Sequence, residues 1–226
     1  MSDMVNMDKD TQPNKHTVST ALIVFFIILA AWTGAWLLQL SLVSRFEVFE
    51  KELAISLYWF TAQVIIWILP ALWIMKRTNV ASEIFRVRSW KKTLIWGFGI
   101  GGILLVLSIG FRIISGNPSM PYESLLSFFS VVIIAPVFEE FLMRGAILPS
   151  LRQKLPFITA NTITALLFTL LHFPGWYFMG SLQMHLLNPL NGVLAILIVG
   201  FLCGLAAEKG KSLSSPIIVH ILNNIA

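Results

Sequence analysis

Charge is scarce in this sequence. Only 12% of its 226 residues are Asp, Glu, Lys or Arg, about half the share of an ordinary globular domain. A soluble domain needs a polar shell, and too little is available to build one. The remainder is 57% hydrophobic, with a mean hydropathy of +0.80. Cysteine is nearly missing too. Cys203 stands alone within "LIVGFLCGLAA", so no internal disulfide can form and dithiol redox chemistry is excluded; the residue reads as small packing material. The formal charge of +5 resembles a nucleic-acid signal only until its members are located. They lie in short stretches between apolar runs, where orientation signals belong, so no basic face is available for a nucleic-acid partner.

What is present is a series of apolar runs close to the 20 or so residues a membrane-crossing helix needs. They cover 21–43, 53–75, 93–115, 123–148, 157–173 and about 191–207, and the segment "LSSPIIVHILNNIA" follows. The expected fold is all-α: a multi-pass transmembrane bundle of about seven or eight membrane helices. Residues 1–18 read as a polar tail, 19–89 as two membrane helices and a basic linker, and 90–226 as the core. The first run is too long for the apolar stretch of a signal peptide, about 7–15 residues. The linker "KRTNVASEIFRVRSWKK" interleaves six Lys/Arg with Ile84, Phe85, Val87 and Trp90, as a surface-lying segment would; a solvated loop is the plainer alternative. Gly97 and Gly101 have the spacing that lets helices approach closely. Pro136 predicts a kink in the fourth run, and "PGWYFMGSLQMHLLNPLNG" a loop with a short interfacial helix. Lys and Arg alternate between loops in the sense expected for a cytoplasmic N-terminus.

Against this background, "VVIIAPVFEEFLMRGAIL" (131–148) stands out, because it holds two acids and a base. Each charge at a helix centre costs about 2.5–3.5 kcal/mol on insertion scales, and intramembrane charges are commonly paired or functional. At helical spacing Glu140 and Arg144 are i,i+4 neighbours suited to an ion pair. Glu139 is turned about 100° from Glu140, which leaves it free for chemistry. His172 lies near the end of the fifth run, and His220 and Asn224 share a face of the last, with Asn223 beside them. One carboxylate, two imidazoles and an amide on three helices could build a hydrolytic site. His16 and His185 have ordinary exposed explanations.

These residues resemble a known family. "EEFLMR" (139–144) fits the EExxxR motif of the CPBP intramembrane proteases, the CAAX-protease and bacteriocin-processing or Abi family. "FTLLH" (168–172) fits its FxxxH motif and "HILNN" (220–224) its HxxxN motif, in the right order, and the resemblance spans roughly 90–226. It implies an endopeptidase acting on peptide or membrane-protein substrates in the bilayer, in CAAX-like processing, peptide maturation or bacteriocin self-immunity.

The residue types suggest the mechanism. Glu139 and His172 would bind and deprotonate a water. His220 and Asn224 would donate hydrogen bonds to the oxyanion. Glu140 with Arg144 would orient the site or hold the substrate backbone. No cofactor is required on this reading. One Glu and two His (Glu139, His172, His220) would nevertheless suit a divalent metal such as zinc, and the family has been read both ways. The alternatives are a non-enzymatic membrane immunity or binding protein and a proton-coupled transporter. Substrate identity and oligomeric state are not encoded in these patterns.

Overall fold

The structure is a computed structural model, and it describes residues 17–79, 87–114, 122, 124–189 and 192–225. Among these residues the chain forms helices and no strands. Helix α1 is Thr17–Arg45, α2 Glu52–Thr78, α3 Trp90–Ile114, α4 Leu125–Arg152 and α5 Phe157–Phe178. The short α6 is Leu182–Leu187, followed by α7, Val193–Gly210, and α8, Ser214–Ile225. Most of the predicted tail and the Ile84–Phe85 part of the basic linker lie outside the described residues.

Six helices, α1 to α5 and α7, are long and apolar enough to cross a membrane. Their outward faces carry large apolar side chains: Ile103, Val106 and Leu107 of α3 are all more than 60% exposed. Lipid, not water, is the solvent such a surface fits. In lipid each backbone N–H and C=O must be paired within its own segment, which only a helix achieves for a single pass. Hydroxyls obey the same rule. Thr33, Thr78, Ser150, Thr164 and Thr169 each donate to the carbonyl four residues earlier.

The multi-pass helical bundle expected from the sequence is present, with six helices of crossing length among the described residues. Helix α8 covers 12 described residues, about 18 Å at 1.5 Å per residue. A difference concerns α5. The sequence places a loop from Pro174 onward, yet the helix runs through Pro174 to Phe178. The predicted short helix then follows as α6.

Three widened, π-type turns interrupt the helices, at Val64–Ile68, Phe129–Ile134 and Phe141–Ile147. Each is followed two residues later by a proline: Pro70, Pro136 and Pro149. A proline ring clashes with the carbonyl four residues before it and offers no N–H to that group. Those carbonyls belong to Ile66, Val132 and Gly145, each inside a widened turn, which makes room for the ring. The expected irregularity at Pro136 therefore recurs at two other prolines.

The larger core joins Phe25 and Ile28 of α1, Trp67 and Ile74 of α2, Leu142 and Ile147 of α4, and Phe168 of α5. A smaller one joins Val199, Cys203 and Ala206 of α7 to Val219 of α8, with Ile100 and Leu104 of α3 packed on it. Gly97 and Gly101 serve the close approach their spacing predicted. A Cβ on Gly101 would lie 2.8 Å from Leu222 Cδ1 and 3.0 Å from the Val219 Cα. At Gly204 it would lie 1.6 Å from Asn161 Oδ1. Replacing Gly101 by Ala is therefore expected to destabilise the protein by roughly 1–3 kcal/mol through overpacking. Gly99→Ala, on the same helix with nothing within 4 Å, should be neutral or slightly stabilising. Thermal unfolding of the two variants in detergent compares them directly.

Candidate active site

Helix α4 carries three of the predicted residues to the middle of the bundle. Glu140 lies twelve residues before the end of α4 at Arg152, about 18 Å along the axis. The widened turn begins directly after it, and such turns often mark functional positions. Arg144 donates from Nη1 to Glu140 Oε1 at 3.0 Å, with both side chains fully buried. Its Nη2 donates to the Gly200 carbonyl of α7, and the guanidinium lies 5.0 Å over the Phe168 ring. The predicted ion pair is thus present and is tied to two further helices.

Glu140 Oε1 also accepts from His220 Nδ1 at 2.9 Å. That bond places the Nδ1 proton and leaves Nε2 as the other functional atom of the imidazole. His220 Nε2 faces Glu139 Oε2 at 3.7 Å. This separation exceeds a direct hydrogen bond but brings the two groups into one site. His220 therefore bridges two adjacent carboxylates, one sealed in the interior and one on a cavity.

That cavity, about 150 Å³, is lined by Glu139 and His172 together with Trp32, Trp36, Trp67 and Trp176. His172 Nδ1 lies 2.9 Å from the Phe168 carbonyl. A carbonyl only accepts, so Nδ1 carries the proton and Nε2 of the neutral ring keeps its lone pair. Simple counting along the sequence sets His172 and His220 at different depths. Phe168 reconciles them: its ring lies 4.9 Å from His172 and 5.6 Å from His220.

Asn224 sits one turn beyond His220, as predicted, with its amide engaged. Nδ2 donates to the Val131 carbonyl at 3.0 Å, Oδ1 accepts from Asn223, and its backbone carbonyl accepts from Tyr122. One amide hydrogen remains. His185 stacks on Trp176 at 4.4 Å, and His16 lies outside the described residues.

The zinc alternative needs three ligand atoms drawn together. Among the described residues the group whose donor atoms lie within 4.8 Å of one another is Glu140, Cys203 and His220, not Glu139, His172 and His220. Glu140 Oε2 is buried without a hydrogen-bond partner, but the buried guanidinium of Arg144, 3.0 Å from Oε1, would repel a dication here. Cys203, read from sequence as packing, is buried against the Glu140–His220 pair. Its Sγ is also 3.8 Å from the Pro216 carbonyl.

The tryptophan wall was not anticipated. Trp32 and Trp36 come from α1 and Trp67 from α2, with ring contacts of 4.4 Å between Trp32 and Trp67. The available signal was the number of tryptophans, eight in the chain, and the i,i+4 spacing of the first two.

Fold and site together define a multi-pass helical membrane protein with carboxylates and imidazoles gathered at mid-bundle. Residues 121–226 match the sequence model of the family described as type II CAAX prenyl endopeptidase Rce1-like, in agreement with the CAAX-protease resemblance of the three motifs. All three motif segments fall inside the match. No curated protein matches the chain.

Removing one partner of a buried ion pair typically costs about 3–5 kcal/mol. Arg144→Gln should therefore lower the unfolding midpoint markedly. Adding Glu140→Gln to it should recover part of the loss, a coupling that thermal unfolding of the two single variants and the double variant measures.

Proposed function

We propose that this protein is a glutamate-type intramembrane endopeptidase that cuts a peptide bond within the membrane. The observation carrying this reading is the Glu139–His220–Glu140–Arg144 chain of contacts opening onto the cavity that Glu139 shares with His172. A carboxylate needed only for structure would be neutralised like Glu140. Glu139 instead faces the cavity, with its side chain 13% exposed.

In this mechanism Glu139 and His172 hold a water through carboxylate oxygen and Nε2. Glu139 takes a proton from that water as its oxygen attacks the scissile carbonyl carbon. The negative charge on the carbonyl oxygen is stabilised by Nε2–H of a protonated His220 and by the remaining amide hydrogen of Asn224. A preorganised donor of this kind is worth about 2.7–4 kcal/mol. Protonated His220 is supported by Glu140 at its Nδ1. Glu139 then passes the proton to the leaving amine, which breaks the C–N bond. The burial of Glu140 and Arg144 favours an orienting role over contact with the substrate backbone.

The reading is metal-free, since the Arg144 guanidinium paired with Glu140 would repel a dication at the compact ligand group. The substrate class is a peptide or a membrane protein, and CAAX-like processing or peptide maturation fits the family. The N-terminus is cytoplasmic on this proposal, as three basic segments converge on one face through Arg88, Arg152 and Lys211. A reporter fused ahead of α1 and found outside would overturn that orientation.

Glu139→Gln and His172→Ala should each lower cleavage by at least about 10²-fold while leaving thermal unfolding close to wild type. Comparing cleaved membrane peptides in cells carrying wild type or Glu139→Gln tests this without a known substrate; identical peptide profiles would refute the protease reading. With a substrate in hand, a chelator should leave the rate unchanged. Inactivation by chelator that zinc reverses would refute the metal-free form.

A further inference from the structure

A second cavity, of about 430 Å³, opens where α2, α4 and α7 end and α3 begins. It lies on the opposite side of Arg144 from Glu140, at one membrane surface. Its lining includes Arg88, Arg152, Lys211 and Gln153, with Arg144 at its floor and, among the described residues, Glu208 as the one carboxylate. Arg152 and Lys211 lie 3.7 and 3.5 Å from the same Glu208 oxygen. These are long, partly exposed contacts of the kind worth little, and one carboxylate is divided between two cations. Helix C-termini also open here, each with about half a negative charge, and the basic side chains outweigh them. At the floor, Arg144 Nε is buried without a hydrogen-bond partner, although Nη1 and Nη2 are both engaged.

We propose that this pocket binds a phosphate group, presented by the headgroup of an anionic phospholipid in the adjoining leaflet. The volume falls within the range of ligand sites. Basic pockets between membrane helices at a charged leaflet are suited to such headgroups. A zwitterionic headgroup carries a compensating cation that the pocket would repel. The ligand lies directly beneath the guanidinium that holds Glu140, so its occupancy is felt by the residues that position the catalytic imidazole.

The test uses the full chain in detergent with phosphatidylglycerol or phosphatidylcholine as the probe, and binding read by native mass spectrometry. Phosphatidylglycerol should be retained preferentially. Lys211→Glu and Arg152→Gln should each weaken it by roughly fivefold or more, given about 1 kcal/mol per cation near the surface. Glu208→Gln should strengthen it, a gain that misfolding cannot mimic. Arg45→Gln, at the far end of α1 and one span away from the pocket, should change nothing. Equal binding of both lipids would overturn the proposal, as would equal loss in Arg45→Gln. Stabilisation by inorganic phosphate with no phosphatidylglycerol binding would overturn the lipid assignment.

Discussion

A guanidinium and a carboxylate cannot be left apart in hydrocarbon. Transferring either alone from water into a medium of low dielectric is prohibitive, and even the pair is worthwhile only when its spare hydrogen-bonding atoms find partners. Arg144 and Glu140 meet this constraint in part by recruiting other helices, with Arg144 Nε and Glu140 Oε2 left without hydrogen-bond partners. Arg144 reaches the Gly200 carbonyl on α7 and the Phe168 face on α5, while Glu140 takes the imidazole of α8. The requirement to neutralise one buried pair thereby fixes the mutual position of four helices. His220 is held by that framework, and Glu139, adjacent in sequence but turned to another face, is spared from it.

Helix irregularity supports the same arrangement. A regular α-helix through 125–152 would direct Pro136 and Pro149 into the carbonyls beneath them. The widened turns before each proline remove the clash and also alter the rotation of the residues they contain. Arg144 lies inside one of these turns and Glu140 at its edge. The prolines, which in soluble helices would be breaks, here set the angular relation of the charged side chains.

Much of this was legible in the chain before any fold was known. The i,i+4 spacing of Glu140 and Arg144 specified their pairing, because that relation is local. The small residues at 97 and 101 predicted a close helix contact for the same reason, though not that α8 would supply it. What local spacing could not supply was depth and partnership across distant segments. His172 and His220 looked mismatched in level, and the intervening Phe168 ring brings them together. The bond from His220 to Glu140, rather than to Glu139 alone, depends on rotation about α8. Pro70 and Pro149 held the same information as Pro136, and went unread because flanking apolar residues mask a widened turn. The extension of α5 past Pro174 follows from packing: Pro174, Gly175 and Trp176 are buried, and a Cβ on Gly175 would lie 3.1 Å from Trp36.

Most of the aromatic wall has a different origin from the groups it surrounds. Trp32, Trp36 and Trp67 belong to helices that precede the family-matched segment, whereas Glu139, His172 and His220 all lie within it. The cavity wall is thus shared between the first two helices and the matched segment, which adds Trp176. Substitutions at Trp32, Trp36 or Trp67 would reshape one side of the cavity and leave Glu139 and His172, which come from other helices, in place.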